Sequence, residues 1–433
     1  MPPCKSLSAA LYLLCLTLPL AAEPPNGGRL KRNNDDRRQT DPSRDVREKM
    51  TIPDAIGGKT YDDWKKDLDH LDPSVRDNAV VAILGFGEKA TEAVPKLIAV
   101  LKKEVDAGVR AKILLALRIL PLKGADRKNT IQAVGHVVGN DSQAAIRYEA
   151  VQTLTRLITD EPSVQAAQAI IGDVVRCVSV TSSWQLREAC IMALIATVDT
   201  EKGPEPRVTD ALILHSKGGP LGEPSRRVRM EAIIALGAVG RPHDPKTLEQ
   251  VRGALKDHIN SRDKAINIWA HVSLMALEDK VNEKDIKMIV DCLGEKDREI
   301  RMQAVTALGA MAKKASEHVK DICKLLEKER EPMVQVAACR ALPRMGDKSD
   351  RVLQALIRLT KLDNQKTNEV VLAACAALGH FHVDSPEVMA AMKAVLNHKA
   401  LSEQEMKMVE ESIKVLESPL PDAPKPKGKA DKK

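Results

Sequence analysis

The segment His380-Phe381-His382-Val383-Asp384 sets two imidazoles and a carboxylate at alternate positions. In extended backbone, alternate residues share a side, so three groups of the kind that hold divalent metals could converge there. The chain runs straight on into Ser385-Pro386-Glu387, which reads as a helix start, so the segment is a short connector. No fourth ligand and no group to orient the imidazoles is evident. The expectation is a turn between helices, with His380, His382 and Asp384 a weak metal candidate and no cofactor required.

Six cysteines lie beyond residue 22: Cys177, Cys190, Cys292, Cys323, Cys339 and Cys375. None belongs to a CxxC pair, and most sit in apolar runs such as REACIMAL and QVAACRAL. Thiols in such runs behave as small buried apolar side chains. Whether any of them pair as disulfides stays open. The chain has no GxxxxGK[ST] loop, no GxSxG elbow, no GxGxxG before a helix and no HExxH. Nothing here assembles a nucleophile with its base, and the expectation is a protein that is not an enzyme. A row of arginines, Arg76, Arg110, Arg147, Arg187, Arg229 and Arg301, recurs at one place in a repeated pattern. Such a row could bind an anionic ligand or serve structure.

The pattern itself dictates the elements. In IRMQAVTALG, counting Ile300 as zero, Ala304, Ala307 and Leu308 stand at +4, +7 and +8. Those positions share one face of a 3.6-residue helix. The same frame starts at Val75, Val109, Ile146, Leu186, Val228, Ile266, Val334 and Val370, with spacings of 34, 37, 40, 42, 38, 34, 34 and 36 residues across the nine anchors. Three residues before the anchors stand Asp72, Asp106, Gln143, Ser183, Ser225, Asp263, Asp297, Glu331 and Thr367, most of them good N-cap types. Upstream of each lies a second amphipathic run, such as TLEQVRGALKDH. Each unit is therefore a helical hairpin that cannot bury its apolar face alone, so the units must stack. Aromatics make up only 2 % of the 433 residues, so Ala, Leu, Val and Ile do the packing, and Trp64, Trp184 and Trp269 read as packing residues in helical frames.

The DPxVRxxAxxALG-type core, present as Asp72-Pro73-Ser74-Val75-Arg76, as Asp297-Arg298-Glu299-Ile300-Arg301 and as VRMEAIIALGAVG, resembles the HEAT-repeat family, particularly the bacterial HEAT-like repeats of the phycobilin-lyase type. The opening GKTYDDWKKDL is similar to the first helix of exported bacterial members. The resemblance covers roughly residues 59–380. It implies an all-α, right-handed α-α superhelix of about nine repeats, here followed by a C-terminal capping helix pair. It also implies a non-enzymatic interaction scaffold, with a lyase or chaperone acting on a protein-bound cofactor as the alternative. In the family the arginine at +1 pairs with acidic residues at helix starts to form a ladder, which the spacing permits. Gln335 and Val371 stand at +1 in the last repeats, where a ladder should fade.

The ends read differently. Residues 1–22 have Lys5, an apolar stretch from Leu7 to Leu20 and Leu20-Ala21-Ala22 as a cleavage site, the pattern of a secretory signal peptide. Residues 23–58 read as a disordered charged linker, 59–417 as one solenoid stack, and 418–433 as a disordered Pro/Lys-rich tail. The weakest joint is expected between Gly203 and Ser225, where Gly and Pro cluster. The chain carries +7, yet residues 51–416 hold 53 basic and 51 acidic groups, so the repeats are nearly neutral. This argues against nucleic acid as partner and leaves the Lys-rich tail to touch an acidic surface weakly. The apolar leader is too short for a stable membrane span. The expected location is outside the cytoplasm.

A protein or peptide partner is then the expectation. If the family's layout holds, anchor helices line the concave face, and their +2, +6 and +9 positions point away from the core. There stand Met192, Met230, Ile234, Ile268, Val272, Met275, Met302, Val336 and Leu372. An exposed row of this kind would be an adaptable docking groove. Its existence depends on these side chains being solvent-facing.

Overall fold

The computed structural model describes residues 53–160, 164–198, 202–219, 222–361, 367–383, 385–397 and 401–418. The expected signal peptide and tail, and most of the charged linker, lie outside them. The fold is all-α, a HEAT-like solenoid type of helical hairpins in sequence. The described residues form two compact units that divide between His215 and Ser216, within the glycine- and proline-rich joint.

In the first unit the anchor helices are Pro73–Leu84, Ala107–Ile119, Ala144–Asp160 and Trp184–Ala196. Each follows an outer helix: Tyr61–Asp67, Val94–Leu101, Gly124–Asn140 and Ile171–Val180. In the second unit the anchor helices are Arg226–Ala238, Lys264–Glu278, Arg298–Met311, Pro332–Met345 and Asn368–His380, closed by the pair Pro386–Leu396 and Glu403–Glu417. The anchor helices begin where local chemistry starts them. Asp72, Asp106, Ser183, Ser225, Asp263 and Asp297 each accept a hydrogen bond from a first-turn amide. Glu331 and Thr367 occupy the same place without a side-chain cap bond. Each cap stabilises its helix by about 1 kcal/mol.

Successive anchor helices pack closely because small residues face each other. Gly309 lies against Ala341, where an added Cβ would sit 2.6 Å from the alanine Cβ and 2.8 Å from its Cα. Gly237 lies against Ser273 in the same way, with 2.7 Å to its Cα. In both pairs a glycine at +9 of one anchor meets a small residue at +7 of the next. Leu, Ile, Val and Ala fill the layer between inner and outer helices. Trp269 is wholly buried there, its Nε1–H donating to Gln303 Oε1 at 2.7 Å, which satisfies its one polar atom.

Residues 55–58 depart from the expected linker. Ala55–Ile56 and Lys59–Thr60 form a two-stranded antiparallel ribbon with Ala55 opposite Thr60 and Ile56 opposite Lys59. Gly57 and Gly58 turn it at φ of 57° and 78°, a left-handed conformation that favours glycine. Trp64 Nε1 donates to the Ile56 carbonyl at 2.9 Å, and Lys59 Nζ lies 4.7 Å from the Trp64 ring centre. The first helix is thus docked from its N-terminal side. Strands two residues long have no period to reveal them.

Candidate interaction surface

The arginine at +1 does two jobs. Its Nη1 donates to the two carbonyls at −5 and −4, which closes the turn before its own helix. Arg76 binds the His70 and Leu71 carbonyls, Arg110 those of Glu104 and Val105, and Arg187 those of Thr181 and Ser182. Arg229 does the same with Glu223 and Pro224, and Arg301 with Glu295 and Lys296. Gln335, in place of arginine, still reaches the Glu329 carbonyl at 2.9 Å.

The other edge of the fork reaches forward one repeat, to the carboxylate at −5 of the next anchor. Arg76 binds Glu104 at 2.6–2.7 Å, Arg110 binds Asp141 at 2.7–3.2 Å and Arg301 binds Glu329 at 2.7–3.1 Å, all bidentate. Burial pushes the Glu104 and Glu329 carboxyls up, but the hydrogen bonds of Arg76 and Arg301 outweigh it and hold both below the usual carboxylate range. These arginines are engaged on both sides and are committed to structure. A second bridge spans three repeats: Arg226 pairs with the N-cap Asp263 of the next anchor helix and with Glu299 of the one after. Arg147 is the exception. Thr181 stands at −5 of the next anchor, and Arg147 makes neither kind of contact among the described residues.

The apolar row expected as a groove is not an open surface. Met192, Met230, Ile234, Ile268, Val272, Met275 and Val336 are buried, and only Met302 and Leu372 are half-exposed. Position along a helix fixes direction around its axis, but exposure depends on what lies against each side. Residues 186–197 and 230–239 are buried around their whole circumference, so no face of those helices is free to form a groove.

The exposed strip of the anchor helices lies at −1, +3, +6 and +10 instead. In the first unit it carries Val81 at 51 % exposure, Leu115 at 39 % and Ile119 at 55 %, on the adjacent helices Pro73–Leu84 and Ala107–Ile119. In the second unit it carries Met333, Ala337 and Arg340, with Met302 and Leu372 beside it on the flanking helices. Large exposed aliphatic side chains side by side on neighbouring helices are the mark of an interaction surface. Reading the strip from +6 of the first two repeats would have found Val81 and Leu115; weighting the later repeats, with +2 and +9, hid them.

The histidine segment does not gather into a metal site. His380 ends its helix and is exposed, His382 sits at φ 47° with Nδ1 3.2 Å from the Ser418 carbonyl oxygen, and Asp384 lies outside the described residues. Among the described residues no three His, Cys, Asp or Glu side chains stand close enough to hold a metal ion. No helix of the described residues is long and apolar enough to cross a membrane.

Comparison with known proteins agrees with this geometry. Residues 319–406 match the family described as HEAT repeats. Comparison with curated proteins gives no match. Among solved structures, an engineered protein is 19 % identical with a TM-score of 0.36, the match covering 83 % of this chain and 99 % of that one. Importin beta is 14 % identical with a TM-score of 0.40, over 82 % of this chain and 51 % of that one, so this chain spans about half of importin beta. Human deoxyhypusine hydroxylase is 16 % identical with a TM-score of 0.31, over 67 % and 97 %. Residues 319–406 are a run of HEAT repeats, and the hairpins before them are built on the same plan.

Proposed function

We propose that this protein is an exported, non-enzymatic scaffold that binds a protein partner along the concave, anchor-helix side of its repeats. The observation that carries the reading is the exposed aliphatic strip of Val81, Leu115 and Ile119. Three branched side chains held in water by rigid helices gain about 25 cal/mol for each Å² that a partner covers. Rigid backbones keep the ordering cost of binding low. The arginines at +1 take no part in binding, because most are consumed by the ladder. Export rests on the leader pattern of residues 1–22, and the Lys-rich end at 418–433 is the element that touches acidic surfaces.

The test is affinity isolation from the exported fraction with wild-type protein and with Val81→Glu, Leu115→Glu and, as control, Asp126→Lys on an outer helix. One protein species retained by the wild type and the control but lost with both glutamate variants supports the reading. Retention by all four, or by none, refutes it.

A further inference from the structure

We propose that Cys177 and Cys190 form a disulfide that staples the hairpin of Ile171–Val180 and Trp184–Ala196, with Cys177 the attacking and Cys190 the resolving sulfur in exchange with a disulfide-bearing oxidant. Three observations lead there. The first is the gap in the ladder. Where Arg76, Arg110 and Arg301 each find a carboxylate at −5 of the next anchor, Arg147 meets Thr181. Its Nε–H is buried and has no hydrogen-bond partner among the described residues. A guanidinium without its counter-ion is left facing the interior of this hairpin.

The second is what lies in its field. Cys177 and Cys190 are both wholly buried, on the two facing helices of one hairpin. The Cys190 thiol donates a hydrogen bond to the Cys177 sulfur, and the Arg147 charge acts on both. Sulfurs that share a hydrogen bond already project toward each other, which is the side-chain direction a disulfide requires.

The third is the asymmetry between the two thiols and the contrast with the rest. The hydrogen bond from Cys190 lowers the Cys177 thiol, burial opposes that, and Arg147 adds to the lowering, so it falls below the ordinary thiol value. Burial and the same hydrogen bond hold Cys190 protonated. Every other described cysteine is driven up: burial raises Cys292, pushes Cys323 to about 11 and pushes Cys339 and Cys375 to about 12. Thiolate character decides which cysteine attacks.

The exchange balances as follows. The Cys177 thiolate attacks one sulfur of a small-molecule disulfide, which forms a mixed disulfide and expels one thiolate. Cys190 gives up its proton, and its sulfur attacks the Cys177 sulfur and expels the second thiolate. The two protons end on the two released thiols, and two electrons pass from the cysteines to the oxidant. Because both sulfurs are buried, the first attack occurs before the hairpin closes during folding or when it opens locally. Once closed, the bond is sheltered from reductants.

The test uses the full chain refolded with oxidised glutathione, unfolded in excess iodoacetamide without reductant, digested and mapped by mass spectrometry. The linked Cys177–Cys190 peptide is expected as the dominant form, with Cys292, Cys323, Cys339 and Cys375 alkylated. Reduction should lower Tm by roughly 6–12 °C in the wild type and by nothing in the Cys177→Ala/Cys190→Ala variant. Cys190→Ser should trap glutathione on Cys177, whereas Cys177→Ser should leave Cys190 unmodified. Alkylation of both Cys177 and Cys190, or glutathione captured equally by either single variant, overturns the proposal. The oxidant is supplied in the test, so a protein that closes the bond yet stays in the cytoplasm would refute export and leave this inference standing.

Discussion

Replacing Gly309 with alanine would ordinarily strengthen a helix by about 1 kcal/mol, and here it should weaken the protein. An added Cβ would lie 2.6 Å from the Cβ and 2.8 Å from the Cα of Ala341. Carbon atoms pack at about 3.5–4.0 Å, so the two anchor helices must separate by several tenths of an ångström. The obstruction is backbone, which no rotamer change relieves. Overpacking a tightly packed site costs about 1–3 kcal/mol, and a backbone clash belongs near the upper end. Subtracting the propensity gain leaves a net loss of about 2 kcal/mol. For a unit the size of residues 216–418 this lowers Tm by about 4–8 °C. Gly253 is the control: on an outer helix, with nothing within 4 Å of its would-be Cβ, it should tolerate alanine and gain about 0.5–1 kcal/mol. Ala341→Gly combined with Gly309→Ala should restore only part of the loss, because the main chain at residue 341 still obstructs the new methyl group. Urea unfolding of the four proteins checks this. A Gly309→Ala variant as stable as the Gly253→Ala variant would refute the close approach of the anchor helices.

Arg110→Ala leaves the Asp141 carboxylate without its bidentate partner in a site where both side chains are at most one-tenth exposed, and should cost about 3–5 kcal/mol by urea unfolding. Trp64→Phe removes the bond to the Ile56 carbonyl at a cost of about 0.5–1.5 kcal/mol, read as lost amide protection in residues 55–60. The depressed carboxyls of Glu104, Glu329 and Asp263 are ionised and stabilising above their unfolded values of about 4. Stability should therefore be flat above about pH 5 and fall as pH drops through their lower folded values. Arg301→Gln should flatten that acid limb, and an unchanged limb would exclude Glu329 from it.

The helix starts were legible because caps are local: Asp72, Asp263 and Asp297 sit where an oxygen must meet first-turn amides, and no tertiary knowledge is needed. The ladder's arginines were visible at +1, and their carboxylates at −5 of the next anchor were just as visible once that offset was compared. The row at +2, +6 and +9 misled because periodicity orients a side chain relative to its own helix and says nothing of what covers it. Ile268 and Val272 are wholly buried, while Val81 and Leu115 of the same repeating frame stand in water. The ribbon at 55–60 was hidden by brevity, although Gly57-Gly58 is a turn signature. The pairing of Cys177 with Cys190 joins two helices at an offset set by their crossing, which sequence spacing does not fix.

The claim that the exposed anchor-helix strip engages a partner is tested most directly by photo-crosslinking in the exported fraction. A photoreactive residue is placed at Leu115 on the strip or at Lys128 on an outer helix. The account predicts one discrete adduct from Leu115, absent from Lys128 and lost when Val81→Glu is added. An adduct from Lys128 equal to that from Leu115, or one from Leu115 that survives Val81→Glu, would contradict it.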